Sequence, residues 1–199
     1  QKTVEWYNFR WELLTASSIW KALDTQSNQN NLILSKCAPI NMKKHSSVNI
    51  NSPFHNGHKY EPLSTMLYEY DNNTIIGEFG CIRHPTISFL GASPDGIITD
   101  PTSERYGRML EIKNIVNRDI TVPSKAYWVQ MQIQMETCDL DECDFLETRF
   151  KEYENEEAFY APDNKHEHRG VILYFIERVS IGGSLTSNEN SEEGGGYPL

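Results

Sequence analysis

The sequence of 199 residues predicts one domain, and its 38% hydrophobic and 11% aromatic content excludes a wholly disordered chain. The net charge of −10 is unevenly spread, because residues 1–60 carry +4 and residues 61–199 carry −14; a phosphate-binding surface should therefore draw on the N-terminal third. The sequence has no run of eighteen apolar residues and no signal-peptide pattern, so we expect an intracellular protein of the cytoplasm, nucleoid or nucleus, neither secreted nor bound to a membrane.

The first half of the sequence predicts helices separated by a polar segment. Residues 5–24 carry aromatic and aliphatic side chains at helical spacing, and residues 15–18 offer the N-cap of a second helix. Residues 25–52 are rich in Asn and Ser, which is typical of a loop with at most a short helix. Residues 53–70 predict a further helix, in which Pro62 marks a kink or a break.

The second half of the sequence changes to short β-rich runs bounded by Gly, Pro and Asp, which predict strands. The predicted strands are residues 75–84, 87–100, 108–116, 142–153 and 170–179. Residues 126–138, unbranched and rich in Gln and Met, predict a helix between the third and fourth of these strands. This order implies an α/β or α+β domain over residues 1–180, with a central mixed β-sheet flanked by α-helices. Residues 181–199 are rich in Gly, Ser and Glu and predict a tail or linker.

The pattern that carries chemistry joins Pro94-Asp95-Gly96 to Glu111-Ile112-Lys113. Each half also has a purely structural interpretation, because Pro-Asp-Gly is an ordinary β-turn signal and Glu-Ile-Lys is a normal alternation for a half-exposed strand. Glu111 and Lys113 are two positions apart on a predicted strand, so their side chains leave the same face. Asp95 lies at the edge of the preceding strand and is placed to meet them.

Two carboxylates that converge on one point are costly unless a cation neutralises them, and hard oxygen ligands suit Mg²⁺ or Mn²⁺. The Ile112 carbonyl lies between Glu111 and Lys113 and is a further candidate ligand. A lysine beside the carboxylates can orient or help to deprotonate a water molecule and can stabilise charge on a phosphate. Together, these groups predict phosphodiester hydrolysis.

This pattern resembles that of the PD-(D/E)xK nuclease superfamily, which implies a restriction-endonuclease-like core. Three further segments make the chain similar to the lambda exonuclease-like, or YqaJ-like viral recombinase, group of that superfamily. They are Arg10 followed by Thr15-Ala16-Ser17, the helix motif Gly57-His58-Lys59-Tyr60-Glu61-Pro62, and the Gln-rich segment 127–135. These segments occur in the order typical of the group and cover residues 10–135.

The resemblance implies a role for each matching residue of the catalytic centre. Asp95 and Glu111 would be metal ligands, and Lys113 would be the catalytic lysine. Glu61 would be an acidic partner that serves a second metal ion or its water, although a glutamate before a proline is also consistent with a merely exposed side chain. Gln130 would position the lysine or the water. The resemblance thus implies Mg²⁺ or Mn²⁺ as cofactor, with two ions per site.

The resemblance also implies contacts to DNA phosphates. Arg10 and Ser17 would bind phosphate, including the 5′ end of the degraded strand, although Arg10 on an amphipathic helix is equally consistent with a plain surface charge. Four further basic residues in the polar segment suit phosphate contacts, but a basic loop is more often simply solvated. They are Lys36, Lys43, Lys44 and His45.

The function implied is Mg²⁺-dependent DNA exonuclease activity, 5′ to 3′ from double-stranded ends, in recombination or repair. Two alternatives stay open: an endonuclease or flap nuclease of the same superfamily, and a catalytically silent module that binds DNA ends. Such enzymes often form rings that encircle DNA, so a homo-oligomer is an option that no residue establishes. A single-strand annealing protein as partner is a further option without support from any residue.

Overall fold

The structure is a computed structural model that describes residues 3–40, 53–120 and 122–173, with only the backbone for residues 53–58. Its helices are α1 (Val4–Glu12), α2 (Ala16–Ile19), α3 (Gln26–Cys37), α4 (Pro53–Asn72), α5 (Lys125–Cys138) and α6 (Glu156–Tyr160), with a 3₁₀ turn at Trp20–Leu23. Its strands are β1 (Leu14–Thr15), β2 (Ile76–Gly77), β3 (Ile82–Arg83), β4 (Leu90–Ala92), β5 (Gly96–Ile98), β6 (Met109–Asn114) and β7 (Cys143–Thr148). All of them lie in the compact unit Gln1–His168, and Arg169–Leu199 form a second unit.

The larger sheet has four strands in the order β2-β5-β6-β7 and confirms the predicted mixed sheet. Strands β2, β5 and β6 are antiparallel, whereas β6 and β7 are parallel over six residue pairs. Alternate residues of β6 point to opposite faces. Leu110 and Ile112 pack with Tyr68 of α4, whereas Glu111 bonds to side chains of α5 on the other face. The sheet therefore lies between α4 and α5.

A second sheet has the strand order β1-β4-β3. It contains parts of two segments that the sequence predicts as single strands. Residues 75–84 contain β2 of the larger sheet and β3 of the smaller one, and residues 87–100 contain β4 and β5. Pro94 stands between β4 and β5 and has no N–H to donate to a ladder, which favours the break at this point. Asp95 follows the break directly.

Gly96 has a different role from the one that its turn-like sequence predicts. Among the described glycines, only Gly107 has a positive φ, of 80°. A Cβ atom at Gly96 would lie 2.2 Å from Cγ2 of Ile76, so glycine at this position leaves room for the Ile76 side chain. The predicted β-turn at Pro94-Asp95-Gly96 is therefore a strand break followed by the first residue of β5.

The prediction of a loop with at most a short helix for residues 25–52 is wrong for its first part, because α3 extends over twelve residues. Thr25 caps its N-terminus by accepting a hydrogen bond from the N–H of Asn28, and Leu32 is buried. Lys36 donates to the carbonyls of Arg10, Trp11 and Leu13 at the end of α1. The same segment continues through residues 41–52, which lie outside the described residues.

Two further predictions concern helix α4 and the C-terminal segment. Helix α4 continues through Pro62, so the proline does not break it. Most of the strand predicted at residues 170–179 and the whole tail at 181–199 lie outside the described residues. Among the helices that the structure does describe, none is both long enough and apolar enough to span a bilayer.

A charged network fastens α4 and the β5–β6 connection to β7. The carboxylate of Asp144 accepts hydrogen bonds from the hydroxyl of Tyr68 and from the guanidinium groups of Arg105 and Arg108. Its side chain is only 20% exposed, so these donors replace most of its hydration. This network holds β7 in place beside β6.

We expect Asp144→Asn to lower the free energy of unfolding by roughly 1.5–3 kcal/mol, the contribution of hydrogen bonds to a charged group. Partial burial opposes the shift, but hydrogen bonds from Tyr68, Arg108 and Arg105 lower the pKa of Asp144. A lowered folded-state pKa stabilises the protein above the unfolded pKa of about 3.9, so the difference from wild type should shrink as the pH falls below about 4. Urea unfolding at pH 7 and pH 3 measures this, with the exposed Asp141→Asn as control. Equal stability of Asp144→Asn and wild type at pH 7 would contradict the role of the network.

Candidate active site

The candidate site lies where β5 begins and β6 continues beyond it. The pairing of β5 with β6 ends at Gly96 and Leu110. The next residue of β6 whose backbone N–H and C=O are directed to the β5 side is Ile112. Its N–H donates to Oδ2 of Asp95 at 2.8 Å. Because the N–H and C=O of one strand residue point to the same side, the Ile112 carbonyl is also directed to this end of the sheet. The strand break thus brings Asp95 to the middle of β6.

Glu111 is a fully buried carboxylate on the face of β6 that meets α5. The side-chain amide of Gln130 donates to its Oε1 at 2.6 Å, and that of Gln134 donates to its Oε2 at 2.8 Å. The ammonium of Lys113 donates to the same Oε1. Both oxygens of Glu111 therefore have donors, which is the condition for keeping a carboxylate away from water.

Lys113 emerges beside Glu111, as the two-residue spacing on the strand predicts. Its Nζ lies 5.2 Å from the ring centroid of Tyr127 on α5, within the range of a cation–π contact. Burial acts to lower the pKa of Lys113, but the charges of Glu111 and Asp95 outweigh it and raise the pKa above its ordinary value. Lys113 is therefore an ammonium group that is held between a carboxylate and an aromatic ring.

Asp95 is destabilised as an anion by its surroundings. Burial and the charge of Glu111 raise the pKa of Asp95 to about 7, against the opposing effects of Lys113 and the N–H of Ile112. The carboxylate of Glu61 on α4 makes a smaller contribution to this rise. Negative charge thus accumulates at the open end of β5, where a cation would relieve it.

The donor chemistry of these residues fits a hard divalent cation, because carboxylate and backbone carbonyl oxygens are the ligands that Mg²⁺ prefers. Asp95, fixed to the N–H of Ile112, lies next to the buried carboxylate of Glu111, and this close pair of acidic groups favours such an ion. Within the residues that the structure describes, however, no three His, Cys, Asp or Glu side chains are already arranged as a metal-binding cluster. The side chains present supply the correct chemistry without a preformed cage.

Arg10 and Ser17 lie next to each other and close to this centre. The guanidinium of Arg10 donates to Oγ of Ser17 at 3.2 Å and to Oγ of Ser93 at 2.7 Å. Burial lowers the pKa of Arg10, with the nearby Cys81 sulfur acting in the opposite direction. Because Ser93 is two residues before Asp95, this arginine–serine group adjoins the acidic centre.

Ser93 and Gln134, which lie beside predicted site residues in the sequence patterns but had no predicted role, make direct contacts in the site. Gln134 donates to Glu111 and, at 3.3 Å, to the carbonyl of Ser93, so it touches both halves of the site. Its position four residues after Gln130, on the same helix face, was the available signal. Lys36, a candidate phosphate contact in a segment that is more often simply solvated, donates to the carbonyls at the end of α1.

Known proteins match this chain in both sequence and structure. The family model of the YqaJ-like viral recombinase domain matches residues 5–141. The chain belongs to this family. An uncharacterised protein of Acanthamoeba polyphaga mimivirus is 34% identical over 179 residues, which are 82% of this chain and 32% of that relative. The recombinase domain described here therefore spans about a third of that protein.

The recombinase domain is also similar to solved structures of a bacterial nuclease. The alkaline exonuclease LHK-Exo of Laribacter hongkongensis matches with 28% identity and a TM-score of 0.58, over 74% of each chain. The same enzyme in complex with dAMP matches with 28% identity and a TM-score of 0.56, over 73% of each chain. These matches confirm the predicted family, the restriction-endonuclease-like fold and the relation to DNA exonucleases.

The contact between Gln134 and Glu111 can be tested within one helix of the recombinase domain. Gln134→Leu removes a donor from a buried carboxylate, and we expect it to lower the free energy of unfolding by about 1–3 kcal/mol. Gln132→Leu, at an exposed position of α5, should change it by less than about 0.5 kcal/mol. Urea unfolding of both variants measures the difference. Equal effects would show that Gln134 does not support Glu111.

Proposed function

We propose that this domain is a divalent-metal-dependent DNA exonuclease that degrades double-stranded ends in the 5′ to 3′ direction during recombination or repair. The main support is the convergence of Asp95, Glu111 and Lys113 at one end of β5. The likeness to an alkaline exonuclease supports the same chemistry. The nuclease domain would extend over residues 1–180, with residues 181–199 as a tail.

In this proposal, Mg²⁺ or Mn²⁺ would be held by Asp95, Glu111 and the Ile112 carbonyl. Glu61 would serve a second ion or its water. When bound, such an ion polarises a phosphoryl oxygen and lowers the pKa of a water molecule. The amides of Gln130 and Gln134 fix the orientation of Glu111 before any substrate is present, so the carboxylate does not have to reorganise.

Lys113 would act on the scissile phosphate as a hydrogen-bond donor and a positive charge. Its raised pKa makes it an ammonium in this structure, which favours charge stabilisation and orientation of the water over removal of a proton. Gln130 donates to the same oxygen of Glu111 as Lys113 does, so it supports the lysine through that shared carboxylate. The hydrogen bond to Glu111 thus holds the ammonium group of Lys113 beside the acidic centre.

Arg10 and Ser17 would bind a phosphate at the end of the degraded strand. A guanidinium and hydroxyl groups are suitable donors for phosphate oxygens. Because Arg10 contacts Ser93, two residues from Asp95, a phosphate held there would lie close to the metal-binding centre. An end-binding group at a fixed short distance from the cleavage centre is what an exonuclease requires.

DNA is the proposed partner, and the dAMP complex of the similar alkaline exonuclease is consistent with a nucleotide product. A homo-oligomer and a single-strand annealing protein are further proposals that rest on the family resemblance. The silent DNA-end-binding module is the competing proposal, and the presence of Asp95, Glu111 and Lys113 together argues against it.

The catalytic assignment predicts that Asp95→Asn and Lys113→Met each reduce Mg²⁺-dependent degradation of linear DNA at least about 100-fold. Asparagine can still accept the hydrogen bond from Ile112 but lacks the charge that holds a cation. Lys151→Met, at an exposed position, is the matched control and should retain wild-type activity. Release of labelled nucleotides measures the rates, and thermal unfolding confirms folding. Full activity of either site variant, or activity of the wild type in EDTA, would contradict the assignment.

The proposed end recognition predicts faster degradation of a linear duplex with 5′-phosphates than of one with 5′-hydroxyls, and no cutting of a closed circle. Arg10→Gln should remove most of the preference for 5′-phosphate, because it removes the guanidinium. Product lengths from strands labelled at either end report the direction. Efficient cutting of the circle would instead indicate an endonuclease. Binding to ends without any product in Mg²⁺ would indicate the silent module.

A further inference from the structure

Glu147 on β7 has a mostly covered side chain and is the strand partner of the proposed catalytic lysine. Its side chain is only 5% exposed, which is unusual for a glutamate. In the parallel pairing of β6 with β7, Glu147 is the direct partner of Lys113. Neighbouring strands are about 5 Å apart, and paired residues of parallel strands share a face of the sheet. The flexible side chain of Lys113 therefore has a second carboxylate within its reach.

Lys113 nevertheless bonds to Glu111. Glu147 pairs with the guanidinium of Arg118, which lies in the segment after β6. The Cζ atom of Arg118 lies 5.7 Å from the ring centroid of Tyr127, the ring that also contacts Lys113. The two cations thus share one aromatic ring, and each one takes a different carboxylate.

This division of partners has a physical reason. Loss of Arg118 would leave the mostly covered carboxylate of Glu147 without its present cation, which favours pairing with another cation within reach. Lys113, the partner of Glu147 across the strands, is a cation on the same face of the sheet. If the ammonium of Lys113 bonded to Glu147, it would no longer bond to Glu111 and would no longer lie beside the acidic centre.

We propose that Arg118 is a positioning residue which, by pairing with Glu147, keeps this carboxylate from capturing Lys113. Glu147 is then a competitor that must be neutralised, and Tyr127 is the shared support of both cations. The proposal rests on the proposed role of Lys113 in phosphodiester hydrolysis. It differs from a role of Arg118 in substrate binding, which would not depend on Glu147.

The test is a double-mutant cycle on the full chain with linear duplex DNA and Mg²⁺. We expect Arg118→Gln to lower kcat about tenfold while KM stays within about twofold, because positioning is lost and substrate affinity is not. Adding Glu147→Gln should restore kcat to within about twofold of wild type, since the competitor is gone. Glu147→Gln alone should stay near wild type. Lys151→Gln, an exposed charge removal, is the control.

Three results would overturn the proposal: a rise in KM with unchanged kcat in Arg118→Gln, a lowered kcat that Glu147→Gln does not restore, or an equal loss in Arg118→Lys, which keeps a cation opposite Glu147. A crystal structure of Arg118→Gln gives a readout that needs no activity. The lysine Nζ should lie on Glu147, and finding it still on Glu111 would also refute the proposal. An inactive wild type would contradict the proposed nuclease function, and the crystal structure would still decide the role of Arg118.

Discussion

The hydrogen bonds to the buried carboxylate of Glu111 join the central strand of this domain to helix α5. Three donors meet that carboxylate, two amides from α5 and the ammonium of Lys113. Moving a carboxylate out of water costs several kcal/mol unless such donors replace its hydration. The same hydrogen bonds therefore hold α5 against the sheet and orient Glu111 in the acidic centre. A change that separates α5 from β6 would expose the charge and disorganise the centre together.

The same constraint explains why the site lies at the end of a short strand. Strand β5 begins at Gly96, so β6 continues with the N–H and C=O of Ile112 directed to a side where no strand follows. Asp95 takes the N–H, which fixes one carboxylate beside the chain that carries the other. The proline before Asp95 favours this strand end, because it has no N–H to donate to a ladder. Two residues of an apparent turn motif thus serve the geometry of a site.

Features that depend on residues close together in the sequence could be predicted, whereas features that depend on contacts between distant segments could not. The same-face pair of Glu111 and Lys113 follows from strand periodicity alone, and the α/β architecture follows from the order of elements. The length of α3 was missed because its Asn/Ser-rich composition favours a loop, whereas a threonine cap and one buried leucine favour the helix. The split of two predicted strands between two sheets was not predictable from local patterns, because strand partners are chosen by tertiary packing.

The contacts of the site show the same division. Gln130 was available from its motif, whereas the contact of Gln134 with both Glu111 and Ser93 depends on how α5 docks on the sheet. Lys113 and Glu147 are neighbours across β6 and β7 because of the register of these two parallel strands. The two residues are 34 positions apart in the sequence. No short-range pattern encodes such a register, so the second carboxylate beside the lysine is visible only in the folded chain.

The net charge of −10 does not conflict with a DNA substrate once the ion pairs are considered. Exposed charges are screened beyond about 10 Å at ordinary ionic strength, so a phosphate near the site responds to local groups more than to the total. Around the sheet, acidic side chains are matched by cations: Glu147 by Arg118, Glu152 by Lys59, and Asp144 by Arg105 and Arg108. Asp95 is different, because burial and the neighbouring carboxylates of Glu111 and Glu61 outweigh the effect of Lys113 and raise its pKa. The charge of Asp95 is thus poorly compensated at the place where a divalent cation would bind, and the cation would in turn attract the phosphate.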